Sequence, residues 1–197
     1  MPRLDARSAD FPAVLYDADS PLELRFEGDL SLLDRDLRIL FAPGAPPRSA
    51  WDWIERLKGS GAVFMAFAGA AGADRLAEAA RQALGPSRLV LWADDVESLP
   101  ASSSLDAGLC LALPPSDKVR AALLAASGVA FLGEANGALE LLRLCAAASR
   151  RSAVWSGHDA VWSESFRREA VRCGAHPVRS ADEADAALSP WTGLWWV

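Results

Sequence analysis

Residues 62–92 read AVFMAF, AGAAG, ADRLAEAARQAL, GP and SRLVLW in succession. Ala62 to Phe67 is an unbroken apolar run of strand length, and Gly69 to Gly72 turns the chain after it. Asp74 to Leu84 is alanine-rich and long enough for three helical turns, and Gly85-Pro86 ends it. Arg88 to Trp92 is a second apolar run. A strand that is apolar on every residue needs cover on both faces, which is the situation of a parallel sheet built from strand–helix–strand units.

The same alternation extends in both directions. Leu37 to Phe41 precedes a helix predicted from Ser49, as cap, through Lys58, with Trp51, Ile54 and Leu57 on one face. Downstream come strands at Leu109–Leu113, Val129–Leu132, Ala153–Trp155 and His176–Val178. Helices at Ser116–Ser127, Gly137–Ala148, Ser163–Cys173 and Ala181–Leu188 separate or follow them. Leu22 to Phe26 alternates and reads as a short edge strand. The fold class is α/β, a mostly parallel sheet with helices on both faces. Residues 1–35 form a leading segment packed on the domain, 36–188 the domain itself, and 189–197 a tryptophan-rich tail.

Composition narrows the function. The 197 residues hold 51% hydrophobic and 23% charged side chains, which excludes a wholly disordered chain. The longest nearly apolar run, 61–73, is 13 residues, short of the roughly 20 that span a bilayer. Arg3, Asp5 and Arg7 lack the apolar stretch of a secretory signal, so the chain reads as cytoplasmic and not membrane-bound. Three scattered cysteines and two histidines have no metal-ligand spacing, so no metal or cofactor is expected. The net charge of −6 runs against a protein that lives on phosphate contacts. Against that total, residues 140–172 carry six arginines and four acids, a local excess of +2.

Ligands of such sheets bind beyond the carboxyl ends of the strands, where helix N-termini point. Three loops fall there: 42–48, 68–73 and 134–137. The backbone of Gly44, Gly69, Gly72 and Gly137 is a candidate anion cradle, with Arg48, Lys118 and Arg120 as cations. Asp74 holds the turn before its helix. Glu134, at the end of an apolar strand, is placed to accept a ribose hydroxyl, to act as a base, or simply to sit at a helix N-terminus. His158 and His176 lack a sequence partner and read as structural. Trp191, Trp195 and Trp196 fit a tail that covers an apolar groove of this chain, a second copy or a protein partner.

The sequence resembles the DprA/Smf family of bacterial DNA-processing proteins, within the Rossmann-like superfamily that also contains the Lonely Guy phosphoribohydrolases. The resemblance runs from about Phe11 to Leu188. It rests on Arg25 to Asp34 before the first main strand, Gly72-Ala73-Asp74 after the second, and Pro100 in the third-strand loop. Ser127 to Ala135, Gly137-Ala138-Leu139 and Gly174 to Asp182 continue it. Departures are as definite. Ala42-Pro43-Gly44 stands where the family has glycine-serine-arginine, Phe67-Ala68 replaces serine-glycine, and Val119-Arg120-Ala121 replaces arginine-asparagine-arginine. Leu141 occupies the position of the hydrolases' catalytic glutamate, with Glu140 one residue early.

The resemblance implies a non-catalytic, Rossmann-like protein that binds single-stranded DNA or a nucleotide at the carboxyl edge, serves DNA uptake or recombination, and forms a homodimer. The alternatives are an interaction module that kept the fold without the ligand, and a nucleoside-monophosphate hydrolase of the Lonely Guy type using Glu134 or Glu140.

Overall fold

The structure is a computed structural model describing residues 3–5, 9–16, 23–42, 48–67, 73–94, 107–134, 137–157 and 162–189; for 73, 74, 115 and 116 it describes backbone only. The strands are β1 (Arg3–Asp5), β2 (Glu23–Gly28), β3 (Leu37–Phe41), β4 (Val63–Phe67), β5 (Leu89–Ala93), β6 (Leu109–Ala112), β7 (Gly128–Phe131), β8 (Arg151–Trp155) and β9 (His176–Val178). The helices are α1 (Arg48–Ser60), α2 (Ala73–Leu84), α3 (Pro115–Ala125), α4 (Ala138–Ala147), α5 (Glu164–Arg172) and α6 (Ala181–Leu188). All nine strands join one sheet in the order β1-β2-β6-β5-β4-β3-β7-β8-β9. From β6 to β9 every pairing is parallel; β1 and β2 add an antiparallel flap at one side.

Side chains alternate along each strand, so the apolar runs divide into two cores. Leu37, Ile39, Val63, Met65, Val90, Trp92, Val129 and Phe131 face α3, α4, α5 and the short 3-10 turn Ala13–Leu15. Leu40, Phe64, Ala66, Leu89, Leu91 and Ala130 face α1, α2 and α6. The expected mostly parallel α/β sheet with helices on both faces is therefore the fold of the chain.

Several local expectations change. Residues 23–28 form a strand, but β1 pairs outside it, so β2 is not the sheet's edge. Helix α1 begins at Arg48, which places Ser49 inside the helix as a buried residue rather than before it as a cap. Its buried face is Ala50, Trp53, Ile54 and Leu57, with Trp51 only partly covered. The i, i+3, i+4, i+7 pattern from Ala50 selects Trp53 as well as Ile54, and the threefold spacing from Trp51 overlooks it.

Two glycines are fixed by close approach. Gly28 ends β2 at φ +111°, and a Cβ there would lie 2.2 Å from the Gly108 carbonyl oxygen. The chain then turns into the 3-10 segment Leu30–Asp34, where Asp29 accepts a 2.9 Å hydrogen bond from Ser31 N. A Cβ on Gly128 would come within 2.9 Å of Leu188 Cβ and 3.0 Å of Arg38 Nη1. Arg38 is fully buried in β3 and ion-paired at 2.7 Å with Asp36, as a buried charge requires.

Arg88 ties the elements of residues 48–93 together. Its guanidinium donates to the carbonyls of Leu57 (2.6 Å), Lys58 (3.1 Å) and Ala62 (2.6 and 2.9 Å). These are the last carbonyls of α1 and the loop behind it, which carry partial negative charge and lack helical donors. Replacing Arg88 with Ala should lower unfolding free energy by about 2 kcal/mol, because hydrogen bonds to a charged group each contribute about 1.5–3 kcal/mol. Urea titration should show the midpoint falling with an unchanged m-value, and Arg88→Lys should fail to restore it, since one ammonium cannot span three carbonyls.

Candidate functional site

Strand order reverses between β3 and β7: from β3 the chain proceeds outward through β4, β5 and β6, then returns to β7 and continues through β8 and β9. The carboxyl ends at that reversal are where an open α/β sheet forms its cleft. Register builds the floor. Phe41 pairs with Phe131, and Ile39 pairs with Met65, which brings Phe67 level with Phe41. The three rings stack side by side, Phe41 to Phe67 at 5.7 Å and Phe41 to Phe131 at 5.5 Å between centroids. Phe166 of α5 continues the row at 5.9 Å from Phe131, and Trp162 lies on Phe166 at 4.5 Å with planes 17° apart.

Of the cation candidates, Lys118 reaches this row, whereas α1, which carries Arg48, packs on the opposite face of the sheet. Arg48 is exposed at the first residue of α1 and has no carboxylate partner among the described residues. Lys118, in the first turn of α3, is largely covered. It pairs with Asp94 beyond β5 and lies 5.8 Å from the centroid of Phe67, a cation–π contact. Arg120 is exposed on α3. A pocket of about 220 Å³ lies beside Asp94, lined also by Glu23, Arg25, Leu113 and Pro114. It is not legible from local sequence signals, because it depends on β2 lying antiparallel against β6.

Glu134 is engaged within the chain. Its Oε2 accepts from Ser163 N at 2.6 Å and its Oε1 from Ser163 Oγ at 2.9 Å. Ser163 caps α5, accepting from Phe166 N at 3.2 Å. The carboxylate thus sits at a helix N-terminus, but that of α5 and not of α4, the helix that follows it in sequence. Gly137 holds the left-handed N-cap of α4 at φ +79°, with nothing within 4 Å of where a Cβ would be. Glu140 is exposed on α4. Gly44, Gly69, Gly72, His158, Pro100 and the three tail tryptophans lie outside the described residues, as does the Asp74 side chain. His176 is exposed on β9.

The arginine-rich stretch is mostly committed elsewhere. Arg143 pairs with Glu169 at 2.8 Å, Arg172 with the same carboxylate at 3.6 Å, and Arg168 with Glu164 at 3.7 Å. Arg150 donates to Leu124 O at the end of α3. The Arg143 bond holds Glu169 below the usual carboxylate range. Burial pushes the Cys145 thiol up to about 12, with repulsion from Cys173 adding to it. No metal-binding cluster of His, Cys, Asp or Glu occurs among the described residues, and no described helix is long and apolar enough to cross a membrane.

No protein-family model matches the sequence, and no curated protein matches it significantly. Solved structures do. DNA processing protein A (DprA) from Helicobacter pylori is 16% identical, with 92% of this chain and 93% of that chain covered at a TM-score of 0.66. DprA from Streptococcus pneumoniae is 19% identical, with 96% and 75% covered and a TM-score of 0.74. The molybdenum cofactor carrier protein of Chlamydomonas reinhardtii is 12% identical, with 78% and 96% covered and a TM-score of 0.60. The fold of this chain is DprA-like.

Two predictions follow from the site's geometry. A double-mutant cycle on Glu134→Gln and Ser163→Ala should give a coupling of about 0.5–3 kcal/mol in chemical denaturation, the range for residues sharing one hydrogen-bond network. Cys145 should resist alkylation in the native protein at pH 8, where a pKa of about 12 leaves roughly one thiolate in ten thousand. Mass spectrometry after iodoacetamide treatment should find Cys145 modified only when the chain is unfolded.

Proposed function

We propose that the carboxyl edge around β3, β4 and β7 binds single-stranded DNA without chemical turnover, with a mononucleotide as a weaker ligand of the same surface. The observation that carries this reading is the position of Arg48. It stands exposed at the start of α1, beyond the strand-order reversal, and has no carboxylate partner among the described residues. A guanidinium there offers a planar fork to a phosphate, and the first-turn amides of the helix favour the same charge. The Helicobacter pylori DprA to which the fold is similar binds single-stranded DNA. That likeness and the sequence resemblance are what support a role in DNA uptake or recombination, in the cytoplasm, as a homodimer.

A hydrolase reading loses support from the carboxylates. Glu134 has both oxygens hydrogen-bonded to Ser163, Glu140 is exposed on α4, and Leu141 stands at the position where the resemblance expects a catalytic acid. An interaction module without ligand is favoured by one observation, the pairing of Lys118 with Asp94, which offsets the cation nearest the aromatic row.

Fluorescence anisotropy with labelled oligothymidine separates the two. Binding should appear at low salt and weaken with a log–log slope of about 0.7 per neutralised phosphate. Arg48→Ala should weaken it about tenfold or more, the equivalent of about 1.5–3 kcal/mol for a hydrogen bond to a charged group. No binding at low ionic strength would sink the proposal and leave the interaction module.

A further inference from the structure

A second surface on the same edge has no part in the reading above. A groove of about 330 Å³ opens at the carboxyl end of β8 and runs along α5 toward β9, with Val154, Trp162, Arg167, Ala170, Val171 and Pro177 among its walls. That volume is at the lower end of the roughly 300–1,000 Å³ of small-ligand sites. Among the described residues the groove is polar at Ser156 and at Arg167, of which Arg167 carries the charge and is exposed. Its neighbours Arg168 and Arg172 are ion-paired, whereas Arg167 has no carboxylate partner among the described residues.

Trp162 is already oriented. Its Nε1–H donates to Trp155 O at 2.7 Å, and one face of the indole lies on Phe166. Phe166 is fully buried, so the platform rests on the core. What the half-buried indole presents to the groove is the rest of its π-surface, held in place before any ligand arrives. The Glu134–Ser163 bonds fix the start of α5 to the loop after β7 and so link this groove to the strand-order reversal.

We propose that this groove is a base-stacking subsite for single-stranded nucleic acid, in which one nucleobase stacks on Trp162 and Arg167 meets the adjoining phosphate. The proposal rests on the reading of the carboxyl edge as a single-strand surface and extends it along β8. A guanidinium with no carboxylate partner among the described residues, beside an oriented aromatic plane, matches the two faces of a nucleotide, an apolar base and an anionic link. An apolar peptide would use the groove wall but would leave Arg167 without a partner.

The test compares a labelled 12-residue oligothymidine with an abasic 12-mer of equal charge, by anisotropy on the full chain. The wild type should prefer the oligothymidine by about 5- to 150-fold, the equivalent of about 1–3 kcal/mol for stacking one base. Trp162→Ala should remove that preference. Trp162→Phe, which retains a ring and protects against a mere folding defect, should retain part of it. Arg167→Ala, at an exposed position, should weaken both oligomers and reduce the salt slope by about 0.7. Equal wild-type affinity for the two oligomers, or variants that bind like the wild type, would overturn the subsite and leave the Arg48 surface standing. Unchanged binding together with an altered sedimentation coefficient would reassign the groove to a protein contact, which also overturns it. Failure of the wild type to bind either oligomer overturns both readings together.

Discussion

Burial of the central strands on both faces is the constraint from which the rest of the molecule follows. Strands β3, β4, β5 and β7 are almost entirely covered, and the helices that cover them pack in two separate layers. Such strands have no solvated face on which to carry polar chemistry, because an unpaired polar group there would cost several kcal/mol. Function is therefore confined to the ends of the strands. Parallel connections bring helix N-termini to the carboxyl end, so that end is also where backbone amide donors gather. Fully buried Arg38, near the opposite end, is ion-paired with the partly exposed Asp36, although its Nε and Nη1 have no hydrogen-bond partner among the described residues.

Charge use bears on whether so acidic a chain can offer the proposed anion site. Arg88 and Arg150 are turned inward onto the carbonyl ends of α1 and α3, where they act as helix C-caps. Arg143, Arg168 and Arg172 are held by Glu164 and Glu169. The cluster that looks basic in sequence is thus largely neutralised by its own neighbours, and the net charge understates what the few uncommitted cations can do. Local potential depends on which guanidinium lacks a partner, and that depends on folding rather than composition.

The order of elements was legible because each signal is local. The apolar runs have strand length, the intervening segments have helical period, and glycine or proline closes them. Even the aromatic floor is visible once the order is known, since β3, β4 and β7 each end in phenylalanine and parallel register brings the three rings level. What escaped the sequence was pairing at a distance. β1 is three residues, RLD, with no apolar run, and exists because β2 supplies its partner. The bond from Glu134 to Ser163 spans 29 residues and depends on β7 and β8 being adjacent. Trp53 outranks Trp51 because the covered face of α1 is set jointly by the sheet, α2 and α6, and no threefold spacing contains that information.

The bonds of Glu134 bear on the proposed choice of binding over chemistry. A carboxylate that acts as a base needs a lone pair directed at substrate and a proton route to solvent. Here one oxygen accepts the backbone amide and the other the hydroxyl of Ser163, the N-cap residue of α5. Releasing both bonds would free that cap residue from the loop after β7, beside the stacked pair Trp162 and Phe166. The acid therefore works by holding two loops of the carboxyl edge in fixed relation. An edge whose acids are committed to holding it in place, and whose aromatic side chains are pre-stacked, would receive the proposed ligand at little ordering cost.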